Sequence, residues 1–307
     1  MAHMNLLSLE SFETWAPPLI TTLERNHNVL LDWETDGHQY PAPAFDRAIT
    51  EVGETLKSYS IRGWHCTRLT DAEVAAILSN GAHLPNAETL NQRVDMIVAA
   101  GLLSAEIAER LKAKNQAGDS NRAGKLWFCF YAPKLAGEGG IGRFFRHWGG
   151  EALYNYHEDN CVTSPPLRVI GTPRVVVAEI PIAFLSSTFG LATHVTRRFL
   201  TERGHDVEQA ERQEGYVVRP LPSSAIREVV TLHSSEFSRL TGCDDWREPP
   251  LSRARRTRRR YFQWPHSHFL FWWVGRCYHR QSHQTLTDRA ILVGYRLRSR
   301  RRDGDPR

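Results

Sequence analysis

Ser58-Tyr59-Ser60-Ile61-Arg62-Gly63-Trp64-His65-Cys66-Thr67-Arg68-Leu69 is a strand-forming stretch, and Asp71 to Gly81 follows it with helical spacing. Asp71 is expected to open that helix, because its carboxylate can accept a bond from the free N–H groups of the first turn. Val74, Ile77 and Leu78 form its apolar face, and Gly81 is placed to end it. Upstream, Ala44, Ile49, Val52 and Leu56 predict a helix over 44–57. Downstream, a longer helical region runs from Ala87 to Lys114, with a break expected near Gly101.

Past the polar turn Gly118-Asp119-Ser120-Asn121 comes Lys125-Leu126-Trp127-Phe128-Cys129-Phe130-Tyr131, a β-prone run closed by Pro133. Trp127 and Phe128 alternate, so one of the two is expected to be plain core. Helical spacing returns from Ile141 to Tyr156, although Gly149 and Gly150 interrupt it, and each costs about 1 kcal/mol relative to Ala inside a helix. A helix break, tight packing or a close ligand would each explain the pair. Arg174 to Ile182 is another strand, and Gly215 to Arg219 begins a further one, followed by Pro220-Leu221-Pro222 and Ile226-Arg227-Glu228-Val229-Val230. Short strands mixed with helices give an α+β class.

The chain has 307 residues and a net charge of +5. That figure hides an asymmetry. Residues 251–307 carry 15 Arg, no Lys and 3 Asp, a balance of +12, so residues 1–250 are acidic overall at −7. Met1-Ala2-His3-Met4 reads as a cloning remnant. The expected organisation is therefore 1–4 remnant, 5–57 helical region, 58–250 catalytic domain and 251–307 Arg-rich tail. Three readings of the tail stand side by side: a nucleic-acid arm, a disordered basic end, and a segment that selection never shaped.

Five scattered cysteines without a CxxC pair argue for a reducing compartment, and the longest apolar run near the C-terminus, Phe269 to Gly275, is too short to cross a bilayer. With no secretion signal in view, the expectation is a cytoplasmic protein without a membrane partner. His266, His268, Cys277, His279 and His283 match no reliable zinc spacing, so no metal is expected. Gly137-Glu138-Gly139-Gly140-Ile141-Gly142 lacks the Lys-Ser/Thr of a phosphate loop and is read as a mobile loop.

Three pieces then occur in order: His65-Cys66-Thr67 with Ala75-Ala76-Ile77-Leu78-Ser79-Asn80-Gly81; Leu126-Trp127-Phe128 after Gly124; and Glu214-Gly215-Tyr216-Val217-Val218 with Pro222, Ile226 and Val229. Together they resemble the His–Tyr–Glu branch of the ADP-ribosyltransferase superfamily, which includes the poly-ADP-ribose polymerases and the tRNA 2′-phosphotransferases. The resemblance covers Ile61 to Val230 and implies a split mixed or antiparallel β core with surrounding helices. Two positions depart from the family pattern: Cys66 stands where the family has Gly, and Trp127 where it has Tyr.

What the resemblance implies is an enzyme that uses NAD as co-substrate and transfers ADP-ribose to a macromolecule, with nucleic acid, DNA or RNA, favoured over protein. Glu214 would stabilise the oxocarbenium-like ribose, with Glu151 as the competing candidate. His65 and Thr67 would hold the dinucleotide, and Trp127 and Tyr154 would sandwich the nicotinamide ring. A bacterial toxin or phage-defence effector, with an antitoxin as partner, is the setting that analogy suggests. Two alternatives remain open: a NAD-dependent tRNA 2′-phosphotransferase, and a non-catalytic nucleic-acid-binding protein on the same fold.

Overall fold

Val175, Val176, Val177 and Ala178 are buried on both sides of one strand, and that strand lies inside a sheet covered on both faces. The computed structural model describes residues 5–35, 37, 39–134, 141–208 and 212–242, and all of them belong to the unit spanning 1–248. The Arg-rich tail, its histidines and Cys277, and most of the glycine-rich segment 137–142 lie outside the described residues.

The strands are β1 (Asn5–Leu7), β2 (Tyr59–Leu69), β3 (Leu126–Cys129), β4 (Thr172–Pro181), β5 (Glu214–Val217) and β6 (Ile226–Thr231). They form one six-stranded sheet in the order β5-β3-β2-β4-β6, with β1 pairing parallel to the start of β2. Every other pairing is antiparallel. The helices are α1 (Pro17–Arg25), α2 (His27–Glu34), α3 (Ala42–Leu56), α4 (Asp71–Asn80), α5 (Ala87–Ala99), α6 (Ala105–Ala113), α7 (Gly142–Arg146), α8 (Glu151–His157), α9 (Ser164–Val169), α10 (Phe189–Glu202) and α11 (Ser235–Thr241). The α+β expectation thus holds at the level of a mixed fold with a mainly antiparallel sheet.

Strand alternation assigns each side chain to a face. Tyr59, Ile61, Phe128, Val176, Ala178, Ile180 and Val217 face the larger core, built with α1, α3 and α10. Trp64, Cys66, Val175, Val177 and Val230 face the opposite side, where Phe145 of α7 and Phe237 and Leu240 of α11 cover them. Residues 5–57 share the larger core with the strands. A smaller cluster of Leu90, Val94, Leu111, Trp148, Leu153 and Leu167 joins α5, α6, α8 and α9.

Two sequence expectations are corrected. Thr70, not Asp71, caps α4: its hydroxyl accepts from Glu73 N at 3.2 Å, and the Glu73 carboxylate accepts from Thr70 N at 2.8 Å. Thr70-Asp71-Ala72-Glu73 is a capping box, in which two reciprocal bonds outcompete the single bond Asp71 could offer. Asp71 instead pairs with Arg174. The helical spacing over 141–156 also resolves into two short helices. Gly149 and Gly150 adopt φ of +81° and +58° between them, outside the helical range.

Among the described residues no helix is long and apolar enough to cross a membrane, no group of three or more His, Cys, Asp or Glu could hold a metal ion, and Cys66, Cys129 and Cys161 are unbridged.

Candidate active site

β2 and β3 meet at a single Cα pair, Trp64 with Cys129, and then diverge. β4 stays paired with β2 as far as Leu69, and β3 turns its remaining residues toward β5. The sheet is therefore open along one edge of β2 from His65 onward. A side chain bridges the opening: His65 Nδ1 donates to Trp127 O at 2.9 Å. That bond leaves Nε2 as the unprotonated nitrogen of the neutral ring. Burial lowers the His65 pKa, the bond to Trp127 O works against the shift, and Arg93 adds to it, so the ring is neutral near pH 7. Thr67, two residues on, shares its face and is half-exposed.

Trp127, Cys129, Glu214 and Tyr216 occupy the other face of the sheet, because Trp127 pairs with Tyr216 and Cys129 with Glu214 in register. The Trp127 and Tyr216 rings lie 4.6 Å apart, tilted by 49°. Lys125 Nζ sits 5.0 Å from the Tyr216 ring centroid. Cys66 reaches the same face, and the Cys66 thiol is held well above its usual pKa by its hydrogen bond with Cys129, by burial, and by the charges of Cys129 and Glu214.

Glu214 makes no side-chain hydrogen bond among the described residues. Burial raises its pKa, Arg212 opposes the shift, and the Glu151 charge reinforces it. The side chain is nonetheless accessible to solvent. Glu151, the first residue of α8, is ion-paired with Arg122 at 3.0 Å, and that Arg122 guanidinium also holds Asp119 at 3.0 Å.

The structure thus brings Trp127, Glu214 and Glu151 into one electrostatic neighbourhood with Tyr216. It sets His65 and Thr67 on the opposite face, joined to that group through the Trp127 carbonyl. Tyr154 is only 4% exposed; Phe144 lies against it at 5.8 Å, and the Arg143 guanidinium sits 4.0 Å from its ring centroid. Burial pushes the Tyr154 pKa up, and the ring packs rather than facing open space. Tyr216 is the aromatic beside Trp127, a role sequence reasoning did not assign it. The signal was present: Glu214 and Tyr216 are two apart on one strand and must share a face. Arg122 and Cys129 were also missed, since neither carries a local motif.

A hollow of about 290 Å³ lined by Leu69, Thr70, Asp71, Leu102, Gly171 and Thr172 lies past the end of β2 and contains none of these side chains. No protein-family model, no curated protein and no solved structure matches the chain.

Proposed function

We propose that the chain is an ADP-ribosyltransferase that breaks the nicotinamide–ribose bond of NAD and passes ADP-ribose to a macromolecular acceptor, with nucleic acid favoured. The observation that carries this reading is the Glu214 carboxyl, without a side-chain hydrogen bond among the described residues and beside the Trp127–Tyr216 pair at the opening of the sheet.

Loss of nicotinamide develops positive charge on the ribose ring. A carboxylate already fixed beside that ring stabilises the charge without reorganising at the moment of reaction. Two carboxyl groups stand within electrostatic reach; Glu151 is taken up by its ion pair with Arg122, which leaves Glu214 as the carboxylate available to the ribose. The Trp127 and Tyr216 faces would take the flat cationic nicotinamide. The His65 Nε2 lone pair has no partner among the described residues; lying on the opposite face, it would meet a ribose hydroxyl only across the gap between β2 and β3. The opening between β2 and β3 also favours the split-sheet core that accompanies this activity.

The test is nicotinamide release from labelled NAD in the presence of RNA, DNA or protein extract, compared between wild type and Glu214→Gln. The expected result is release with label on one class of macromolecule, reduced at least 100-fold in the variant, on the scale of removing a preorganised charge-stabilising group. Release that requires a 2′-phosphorylated RNA would favour the phosphotransferase alternative. Absence of release with every acceptor, or an undiminished Glu214→Gln rate, would refute the transferase.

A further inference from the structure

Where α7 ends, His147 is completely buried at 0% exposure, with Arg68 behind it at 8%. His147 Nε2 accepts from Arg168 Nε at 3.3 Å and lies 3.4 Å from Ser164 Oγ. An accepting Nε2 leaves the ring proton on Nδ1, and that buried N–H has no hydrogen-bond partner. The neighbouring Arg146 Nε is also buried without a partner.

The charge around the ring is one-sided. Arg168, Arg146, Arg143 and Arg68 all act on His147, and among the described residues no carboxylate does. Arg143 is neutralised by Glu158 at 2.5 Å. Arg68 is fastened to Ile170 O at 2.7 Å and Phe145 O at 3.2 Å. Arg146 and Arg168 are half-exposed, and neither has an ion-pair partner among the described residues. Two guanidinium groups without counter-charge among the described residues repel each other, and the planar forks of Arg146 and Arg168 match the oxygens of a phosphate.

We propose that Arg146 and Arg168, set beside the buried His147 ring, form a binding site for a phosphate group. A compact dianion such as a phosphate monoester or a pyrophosphate offers oxygens to two guanidinium groups at once. The phosphodiester of a nucleic acid presents the same oxygens with less charge. The site uses neither Glu214 nor His65, so it stands whether or not the transferase reading does.

The experiment is calorimetric titration with sodium pyrophosphate and with inorganic phosphate, in chloride buffers of matched ionic strength. Saturable binding is expected, weakened roughly tenfold or more in Arg146→Gln/Arg168→Gln, as loss of charge-assisted bonds implies. Arg146→Gln alone removes no hydrogen bond seen among the described residues. It should weaken pyrophosphate binding while leaving the melting temperature in chloride unchanged, which separates lost binding from lost folding. Glu214→Gln should bind pyrophosphate as wild type does, so that failure of the transferase and failure of this site are read apart. A labelled single-stranded RNA, displaced by pyrophosphate and sensitive to Arg146→Gln, would identify a phosphodiester as the source; pyrophosphate binding without RNA competition would identify a small phosphate compound. No saturable signal beyond the chloride control, or an equal affinity in the double variant, would overturn the proposal.

Discussion

Trp148 Nε1 donates to Glu73 Oε2 at 3.0 Å, tying the loop before α8 to the first turn of α4 across 75 positions of sequence. The same carboxylate accepts from Arg93 Nε at 2.8 Å and from Thr70 N at 2.8 Å. Arg93 also sits over the Trp148 ring, 4.8 Å from its centroid. Glu73 is thus a helix cap, an ion-pair partner and the acceptor for a buried indole. Burial alone would raise its pKa, but Arg93 and the Thr70 and Trp148 N–H groups outweigh burial and lower it.

Glu73→Ala should therefore cost more than an ordinary cap loss of about 1 kcal/mol. It leaves the Trp148 N–H and the Arg93 guanidinium without their acceptor, and we expect roughly 2–4 kcal/mol in total. Urea unfolding followed by tryptophan fluorescence measures this directly. A loss no greater than that of an exposed cap would mean that the bonds to Trp148 and Arg93 contribute little.

Gly81 ends α4 at φ +85°, and a Cβ there would lie 2.0 Å from Leu221 O and 2.8 Å from Ser223 N. Both contacts are backbone, held in place by the Ala82–Leu221 bridge. Gly81→Ala should destabilise by about 2 kcal/mol or more, through positive-φ strain and displacement of the 221–223 segment. Gly101→Ala, at φ +72° with nothing within 4 Å of its Cβ, isolates the dihedral contribution and should cost less. Equal losses in the two variants would show that the Leu221 contact is irrelevant.

These two positions mark what the sequence made legible. Gly81 could be read as a helix terminator from its place after an apolar-periodic run, and β2 and β4 from β-prone runs, because each signal is local. Thr70 was also readable, since the capping-box pattern stands in four consecutive letters. Glu214 and Trp127 were legible as candidates through motif order, but their placement on one face and His65 on the other depended on register. The Cys129–Glu214 pairing joins positions 85 apart, and no local pattern encodes such a distance. The Glu73–Trp148–Arg93 hub was invisible for the same reason. So was His147, a residue whose surroundings come from three separate elements.

His147 makes the stability of the fold sensitive to acid. Burial first, then Arg168, Arg146, Arg143 and Arg68, push its pKa from 6.5 down to about 3. Because the folded pKa lies below the unfolded one, the unfolded chain binds the extra proton between these limits. Stability should fall as pH drops from about 6.5 toward about 3, by up to about 1.4 kcal/mol per pH unit from this group. His147→Gln cannot titrate and can still accept from Arg168. Its unfolding free energy should decline less steeply across that window, in phosphate-free urea titrations at several pH values. Parallel curves for the two proteins would rule out His147 as the source of the slope.

Glu214 should set the acid limb of the catalytic pH profile. If the ionised carboxylate stabilises the ribose cation, nicotinamide release falls as pH drops through the Glu214 pKa. Burial, and then the Glu151 charge, raise that pKa above the usual 4.5, with Arg212 opposing. The acid limb of kcat/KM, which reports the free enzyme, is therefore expected above the ordinary carboxylate range. Glu151→Gln removes one of the two influences that raise it, so the limb should move to lower pH even where the variant is slower overall. The direction of this shift distinguishes the two carboxyl groups. Were Glu151 the group that stabilises the ribose, Glu151→Gln would abolish release at every pH instead of displacing the limb. A limb that stays in place while activity persists would uncouple the two groups and leave Glu214 to titrate alone.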